Sequence, residues 1–230
     1  MASKQVAILC DSFGYTERRR ALVNSGIEVY AVTTRDNPPE GYLKVTIPDS
    51  WLPEGDEMDY NKKCWFKANA IYLAAIQQFE IEADHYWIIE GDCVATVDRW
   101  RRLFADHKDN DADLCTGCLD TRFSLPQFPY WHTAPEWANL TAINALHRIS
   151  RRAIDWNIAA AEEMRNTLSD ATTASIVHRN SGSFCRINRT DTHYDNQTMR
   201  AQEKGLFINK NRINHPVKRN TYGFEGLNLP

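Results

Sequence analysis

The segment Tyr86-Trp87-Ile88-Ile89-Glu90-Gly91-Asp92 sets two carboxylates on either side of a glycine where an apolar run ends. Side chains alternate along a strand, which directs Glu90 and Asp92 the same way at that end. Gly91 lets the backbone turn and lets a bulky ligand come close. Hard carboxylate oxygens so placed suit Mg2+ or Mn2+, ions that also hold a substrate diphosphate. The same triplet also suits a strand that simply closes in an acidic turn. A second cluster is aromatic: Phe123, Phe128, Tyr130, Trp131, His132 and Trp137, stiffened by Pro126, Pro129 and Pro135. Such rings stack on sugar faces and nucleobases, or form a small satellite core under a long loop.

The elements that must position these groups alternate strand and helix. Gln5 to Cys10 is an apolar run suited to a buried strand, followed by a helix that Thr16 caps and Gly26 ends. Ile27 to Thr34 predicts a second strand, closed by Asn37-Pro38-Pro39, and Tyr42 to Ile47 a short third. A helix follows from about Asn61 to Phe79, with Trp65, Ala68, Tyr72, Ile76 and Phe79 on one stripe. Asn69 falls beside that stripe, and a buried amide must find partners in the protein or in a ligand. Tyr86 to Ile89 is a further buried strand, and Ala112 to Thr116 another.

The second half reads as a long helix opened by Pro135, with Trp137, Leu140, Ile143, Leu146, Ile149 and Ala153 as its apolar stripe. Ser169 is placed to cap a further helix that ends near Gly182. Phe184 to Ile187 predicts a strand, Asp195 to Lys204 a helix, and Leu206 to Ile208 a last strand. Repeated strand–helix–strand units argue for an α/β fold with a mainly parallel sheet, whose ligand crevice lies beyond the carboxyl ends of the strands.

Composition sets the outer bounds. The chain has 230 residues, 43% of them apolar and 25% charged, which suits one globular α/β domain with a real core. No apolar run is long enough to span a bilayer, and the first residues lack a signal-peptide core, so a cytoplasmic protein is expected. The six cysteines are scattered, as reduced thiols; Cys115 and Cys118 form a CxxC that no second CxxC or CxxH completes, and read as structural thiols. The net charge of −3 selects no partner. Arginines cluster at Arg18-Arg19-Arg20, at Arg99 with Arg101 and Arg102, and at Arg148 with Arg151 and Arg152. Each cluster suits a solvated helix face, and the three brought together would make a basic surface for phosphates or a polyanion.

Lys67-Ala68-Asn69 on a helix, then an apolar strand, then Glu90-Gly91-Asp92 resembles the GT-A-type glycosyltransferases, the nucleotide-sugar-dependent family whose strand ends in an Asp-x-Asp motif. The resemblance implies a single GT-A-like (Rossmann-like) domain over residues 1–230, with residues 1–116 as the nucleotide-sugar half and 117–230 as the acceptor half. It implies that Asp92 coordinates the metal, that Glu90 approaches the ribose or the metal, and that Lys67 and Asn69 belong to the donor site. Glutamate in place of the first aspartate is a departure from the motif and leaves metal dependence open. By position, Asp11 after the first strand and Thr33 with Arg35 after the second fall where the family holds nucleobase and ribose.

The late segment His215-Pro216-Val217-Lys218 resembles one found in bacterial and viral members, where the histidine meets the metal or diphosphate and the lysine neutralises the leaving group. A cation beside a departing nucleoside diphosphate stabilises charge developing in the transition state. The same four residues also fit a surface turn. An inverting enzyme needs a base, and two stretches resemble those that carry it: Glu162-Glu163 before Thr167-Leu168, and Asp195 in Tyr194-Asp195-Asn196. Helix N-termini welcome an aspartate for electrostatic reasons alone, and paired glutamates on a helix are usually solvated. The implied reaction is sugar transfer from a nucleotide-sugar, a UDP-sugar placed first, to a hydroxyl of a surface glycan or a hydroxymethylated DNA base, with Mn2+ or Mg2+. The alternatives are a sugar nucleotidyltransferase, against which the loop Asp11-Ser12-Phe13-Gly14-Tyr15 has one glycine and no lysine, and a nucleic-acid-binding protein without catalysis.

Overall fold

The computed structural model describes residues 3–11, 16–55, 59–60, 63–64, 67–121, 134–142, 145–188, 192–194 and 212–215. At 16, 17, 192–194, 214 and 215 the description is of the backbone alone. Within these residues the strands are β1 (Gln5–Cys10), β2 (Glu28–Thr33), β3 (Leu43–Lys44), β4 (His85–Glu90), β5 (Leu114–Thr116), β6 (Leu119–Thr121), β7 (Leu140–Ala142), β8 (Leu146–Ser150), β9 (Phe184–Arg186), β10 (Thr192–Tyr194) and β11 (Ile213–His215). The helices are α1 (Thr16–Asn24), α2 (Ala68–Gln78), α3 (Val97–Asp106), α4 (Arg151–Ala159) and α5 (Ser169–Arg179).

Seven strands form the central sheet in the order β3-β2-β1-β4-β8-β5-β9. Neighbours pair parallel except β8, which runs antiparallel to both β4 and β5. The mainly parallel mixed sheet is therefore as expected. Its two faces are covered by different helices. Val6, Ile8, Tyr86, Ile88, Leu114 and Ile149 pack with residues of α2, α4 and α5, while Ala7, Leu9, Trp87, Ile89 and Cys115 pack with residues of α1 and α3. The helix α2 carries no simple stripe: Asn69 to Ile76 are all buried. It is enclosed by the sheet on one side and by α4 and α5 on the other, which is why apolar residues surround it. The predicted span from about Asn61 is interrupted rather than continuous: Tyr60, Lys63 and Cys64 are helical, and Lys67 leaves helical geometry at φ −109° and ψ 47° before α2 begins.

The largest departure from the sequence reading lies between Trp137 and Ala153. In place of one long helix, the chain forms β7, β8 and only then α4. The helical spacing of Leu146, Ile149 and Ala153 is real, but all five residues of β8 are buried, three of them polar: His147, Arg148 and Ser150. A strand with a histidine and an arginine at its centre hides its apolar alternation. Tertiary partners decide the outcome: Arg148 donates to the carbonyls of His107 and Asn110 and, at 3.5 Å, to that of Ala112. The helix then begins where Ser150 Oγ accepts from the Ala153 N–H at 3.2 Å, an N-cap the sequence reading missed. Ser169 opens α5 without capping it, since the cap position is Leu168. The predicted helix Asp195 to Lys204, the strand Leu206 to Ile208 and the aromatic loop through residue 133 lie outside the described residues.

Asp113 joins the ends of β8 and β9 at the amino-end side of the sheet. Its fully covered carboxylate accepts from Ser150 Oγ at 2.7 Å, from the Ser183 N–H at 2.8 Å and from Arg152 Nη2 at 2.6 Å. Burial alone would raise its pKa, but Arg152 and the serine donors outweigh burial and hold the carboxyl well below the usual carboxylate range. Stability from this group is therefore present above the unfolded value of about 3.9 and is lost as pH falls below it. Asp113→Asn is expected to cost about 1.5–3 kcal/mol at neutral pH. Urea unfolding across acid pH should show a flatter decline in the variant than in the unchanged chain.

Candidate functional site at the carboxyl ends of β1, β2 and β4

Strands β1, β2 and β4 are adjacent and parallel, so the loops after Cys10, Thr33 and Glu90 leave the sheet at one end. The Gly91 N–H donates to Cys10 O at 2.8 Å and the Asp11 N–H to Val32 O at 3.0 Å, which continues the ladder just past the strands. On the other side the Glu90 N–H donates to Ala145 O at 2.8 Å, so β4 is held from both neighbours up to its last residue. The Cys93 N–H then returns to Glu90 O at 2.9 Å. That turn takes Asp92 out of the strand, so alternation does not govern it: Glu90 is half-buried and Asp92 is buried.

Gly91 is required by close approach. A Cβ there would stand 2.5 Å from Asp11 Oδ1 and 2.6 Å from its Cγ. The other Asp11 oxygen accepts from the Tyr42 hydroxyl at 2.9 Å. Burial, then the charge of Asp11, pushes the Tyr42 phenol up, while Arg19 and Arg18 pull it down, which places both guanidinium groups beside this pair. The loop at Gly41 rests on Arg19, whose Nη1 would lie 2.8 Å from a Cβ at that position. Cys93 reports the same charges: its thiol is raised by burial, then by Asp92 and Glu90, and lowered by Arg18. Burial, Glu90 and Asp11 likewise raise Cys10. The site thus gathers Asp11, Glu90 and Asp92 with Arg18, Arg19 and Tyr42.

Sequence reading placed Arg18 and Arg19 on a solvated face and did not single out Tyr42. Arg18 is in fact 4% exposed, and Tyr42 is buried. The available signal was position: two adjacent arginines in the helix that follows the first strand of a parallel sheet. The third arginine cluster stands apart from the other two, whose helices pack against each other. Arg148, Arg151 and Arg152 work at the opposite end of the sheet, on the 107–112 loop, Tyr86 and Asp113. Arg101 pairs with Asp98 and donates to Asn24 O.

The remaining sequence candidates divide. Thr33 is buried at the end of β2, where its carbonyl accepts from the Val45 N–H and its hydroxyl from the Arg35 N–H at 3.3 Å; Arg35 itself is exposed. Asn69 is buried at the start of α2, on the carboxyl-end side of the sheet, and among the described residues its Oδ1 has no hydrogen-bond partner. Lys67 is committed elsewhere: Nζ donates to Met164 O and Thr167 O at 2.9 Å and to Thr172 Oγ1 at 3.1 Å. It ties the turn that carries Glu162 to the start of α2, a positioning role. Glu162 is exposed on that turn, and the adjacent Glu163 is occupied by Arg179 and the Trp137 indole. His215 is the last residue of β11, in register with Tyr194 of β10, and Ile213 anchors that strand in the core layer that also holds Cys93. Asp195 and Lys218 lie outside the described residues.

The carboxylates fit a hard divalent cation in chemistry, and Gly91 lets the Asp11 carboxylate stand directly against the turn that carries Glu90 and Asp92. Among the described residues, Asp11, Glu90 and Asp92 are not a set whose oxygens all lie within 4.8 Å of one another, so these three by themselves offer a partial shell. A partial shell suits an ion that keeps water and phosphate oxygens among its ligands.

Two outcomes test this geometry. Gly91→Ala forces Asp11 aside and is expected to cost about 1–3 kcal/mol in urea unfolding, most of it recovered when Asp11→Gly is added. Lys67 is pulled down to about 7 by burial, whereas an unfolded lysine titrates near about 10.4. The unfolded chain binds more protons in that interval, so stability should rise from about pH 7 to about pH 10. Lys67→Met is expected to abolish the rise, measured as urea midpoints across that range.

No protein-family model matches the sequence, and neither does any curated protein. Among solved structures, the chain is similar to a glycosyltransferase involved in glycosylation of the major capsid of PBCV-1, at 13% identity and a TM-score of 0.45 over 81% of this chain and 83% of that one. It is also similar to the glycosyltransferase GlyE of Streptococcus pneumoniae TIGR4, at 10% identity and a TM-score of 0.44. That match covers 96% of this chain but 56% of the longer GlyE chain. At such values the likeness carries no argument about chemistry, and the fold rests on the strand order and register above.

Proposed function

We propose that this protein transfers a glycosyl group from a nucleotide-sugar donor to a hydroxyl acceptor. The observation that supports the reading is the meeting of Asp11, Glu90 and Asp92 with Arg18 and Arg19 at the carboxyl ends of adjacent parallel strands. Acidic and basic groups side by side suit a ligand that brings both a diphosphate and a sugar. The arginines offer planar forks for phosphate oxygens, and Asp11, braced by Tyr42, is available to nucleoside hydroxyls or sugar. Asp92 and Glu90 are the residues that would hold Mn2+ or Mg2+, which when bound neutralises charge on the diphosphate leaving group. His215 and Lys218 belong to the same reading as further cations at that leaving group.

In the proposed reaction the acceptor oxygen forms a bond to the anomeric carbon as the bond from that carbon to the phosphate oxygen breaks. The electron pair leaves with the nucleoside diphosphate, and the acceptor proton passes to a carboxylate base, Glu162 or Asp195. Direct displacement of this kind inverts the anomeric centre. The acceptor is a glycan or a hydroxymethylated nucleobase.

The test is a thermal-shift panel of UDP, GDP, CMP and ADP with their sugar conjugates, each with and without Mn2+. A ligand bound only by the native state raises the transition. One nucleotide is expected to give a manganese-dependent rise that Asp92→Asn removes, with transfer lowered about a hundredfold or more. Absence of any nucleotide effect, or an Asp92→Asn protein with full manganese-dependent response, would refute the reading.

A further inference from the structure

A second group of ligand-bearing side chains lies on the α3 face, away from the carboxylates. One row of register partners crosses the sheet from Ala7 through Trp87, Arg148 and Cys115 to Cys185. Its last two members are cysteines on neighbouring strands β5 and β9. The helix α3 ends at His107, which stacks edge-on against Trp87 with ring centroids 5.6 Å apart. The ligating atoms of His107, Cys115 and Cys185 all lie within 4.8 Å of one another. The sequence had offered Cys118 as the partner of Cys115; the sheet supplies Cys185 instead.

We propose that His107, Cys115 and Cys185 form a binding site for a thiophilic d10 cation, Zn2+ or Cu+. Two sulfurs and an imidazole are the donors these ions select, whereas Mg2+ and Mn2+ prefer oxygen. Metal–sulfur bonds of about 2.3 Å and metal–nitrogen bonds of about 2.0 Å put ligand atoms roughly 3.5–3.8 Å apart in a tetrahedral site. A small inward movement reaches that spacing. Both cysteines are free thiols in the structure.

The surroundings are built for such an ion. Asn110 spans both sulfurs: its Nδ2 donates to Cys185 Sγ at 2.9 Å, and its Oδ1 accepts from Cys115 Sγ at 3.8 Å. The Nδ2 donor is placed to orient a Cys185 thiolate, the oxygen is held by the Ala112 N–H at 2.9 Å, and a water would supply the fourth ligand. The main chain of His107 is fixed as well, because its carbonyl accepts from Arg148 and from Gln5 Nε2. Burial pushes the Cys115 thiol up to about 12, and Arg148 pulls against that rise. Cation binding therefore displaces the Cys115 proton to solvent. Two thiolates neutralise Zn2+ or leave one negative charge on Cu+, which Arg148 faces. Cys185 is half-buried and gives the ion its entry.

The test uses the reduced full chain under nitrogen, with Zn2+, Cu+, Co2+ and Mn2+ added separately. One equivalent of Zn2+ or Cu+ is expected to survive desalting. Co2+ should give a thiolate-to-metal charge-transfer absorption that Zn2+ displaces, while Mn2+ gives none. Cys185→Ser should weaken binding at least about tenfold, and Cys118→Ser should leave it unchanged. Should Cys185→Ser fail to fold, protection of two thiols from alkylation by Zn2+ in the unchanged chain decides the matter. Absence of the charge-transfer band, unaltered binding by Cys185→Ser, or a chain that stays lighter by two hydrogens after treatment with reductant, with no cation bound, overturns the proposal. None of these outcomes depends on Asp92, so they are separate from the fate of the donor site.

Discussion

A buried guanidinium in the middle of the sheet sets the terms for the rest of this structure. Arg148 is 0% exposed, and a charge so placed is costly unless its donors are met. Its partners are main-chain carbonyls of His107, Asn110 and Ala112, all on the loop that joins α3 to β5. The arginine thus holds β8 between β4 and β5 and shapes that loop in the same act. With β8 in place, Ala145 accepts from Glu90 and from the Cys93 thiol, which holds the end of β4 where the acidic turn begins. One interaction at the amino-end side is therefore linked to the carboxylates at the other through a single strand.

At the carboxyl ends the governing constraint is steric. Asp11 and Gly91 approach so closely that no side chain fits between them, and this contact joins the loops of β1 and β4 into one surface. Tyr42 and the two arginines of α1 then surround a carboxylate drawn inward by the same contact. Opposite charges gathered at one end of the sheet are suited to a ligand that carries both anionic and hydroxyl groups. Lys67 works on the other face of the sheet, where its ammonium closes the carbonyls of the 164–167 turn and so fixes the segment that bears Glu162.

Two separate places on the sheet also carry two kinds of coordination chemistry. Carboxylate oxygens gather at the carboxyl edge, while sulfur and imidazole gather between α3 and the β5–β9 pair. Hard and soft donors at separate places would allow the protein to carry different cations without competition between the sites. The separation follows from topology: the donor edge uses strands that run together in the first half of the chain, and the sulfur cluster needs β9, which joins from the second half.

Much of the first half was legible in the sequence, because parallel strands buried on both faces are written as apolar runs and their ends as glycines and acids. Gln5 to Cys10, Ile27 to Thr34 and Tyr86 to Ile89 were read on those grounds and match β1, β2 and β4 to within a residue at each end, with Glu90-Gly91-Asp92 following the last. What lay beyond local pattern was decided by tertiary contacts. The strand β8 reads as helix because His147 and Arg148 break its apolar alternation, and only their buried partners make it a strand. Arg18, Tyr42 and Cys185 gained their meaning from neighbours remote in the chain: Asp11 and Cys93 for the first two, Cys115 for the third. The sequence by itself determined which side chains existed and which short segments were stiff or apolar. The tertiary structure decided which of them meet, because proximity across a sheet depends on strand order and register, and neither is encoded within a single segment.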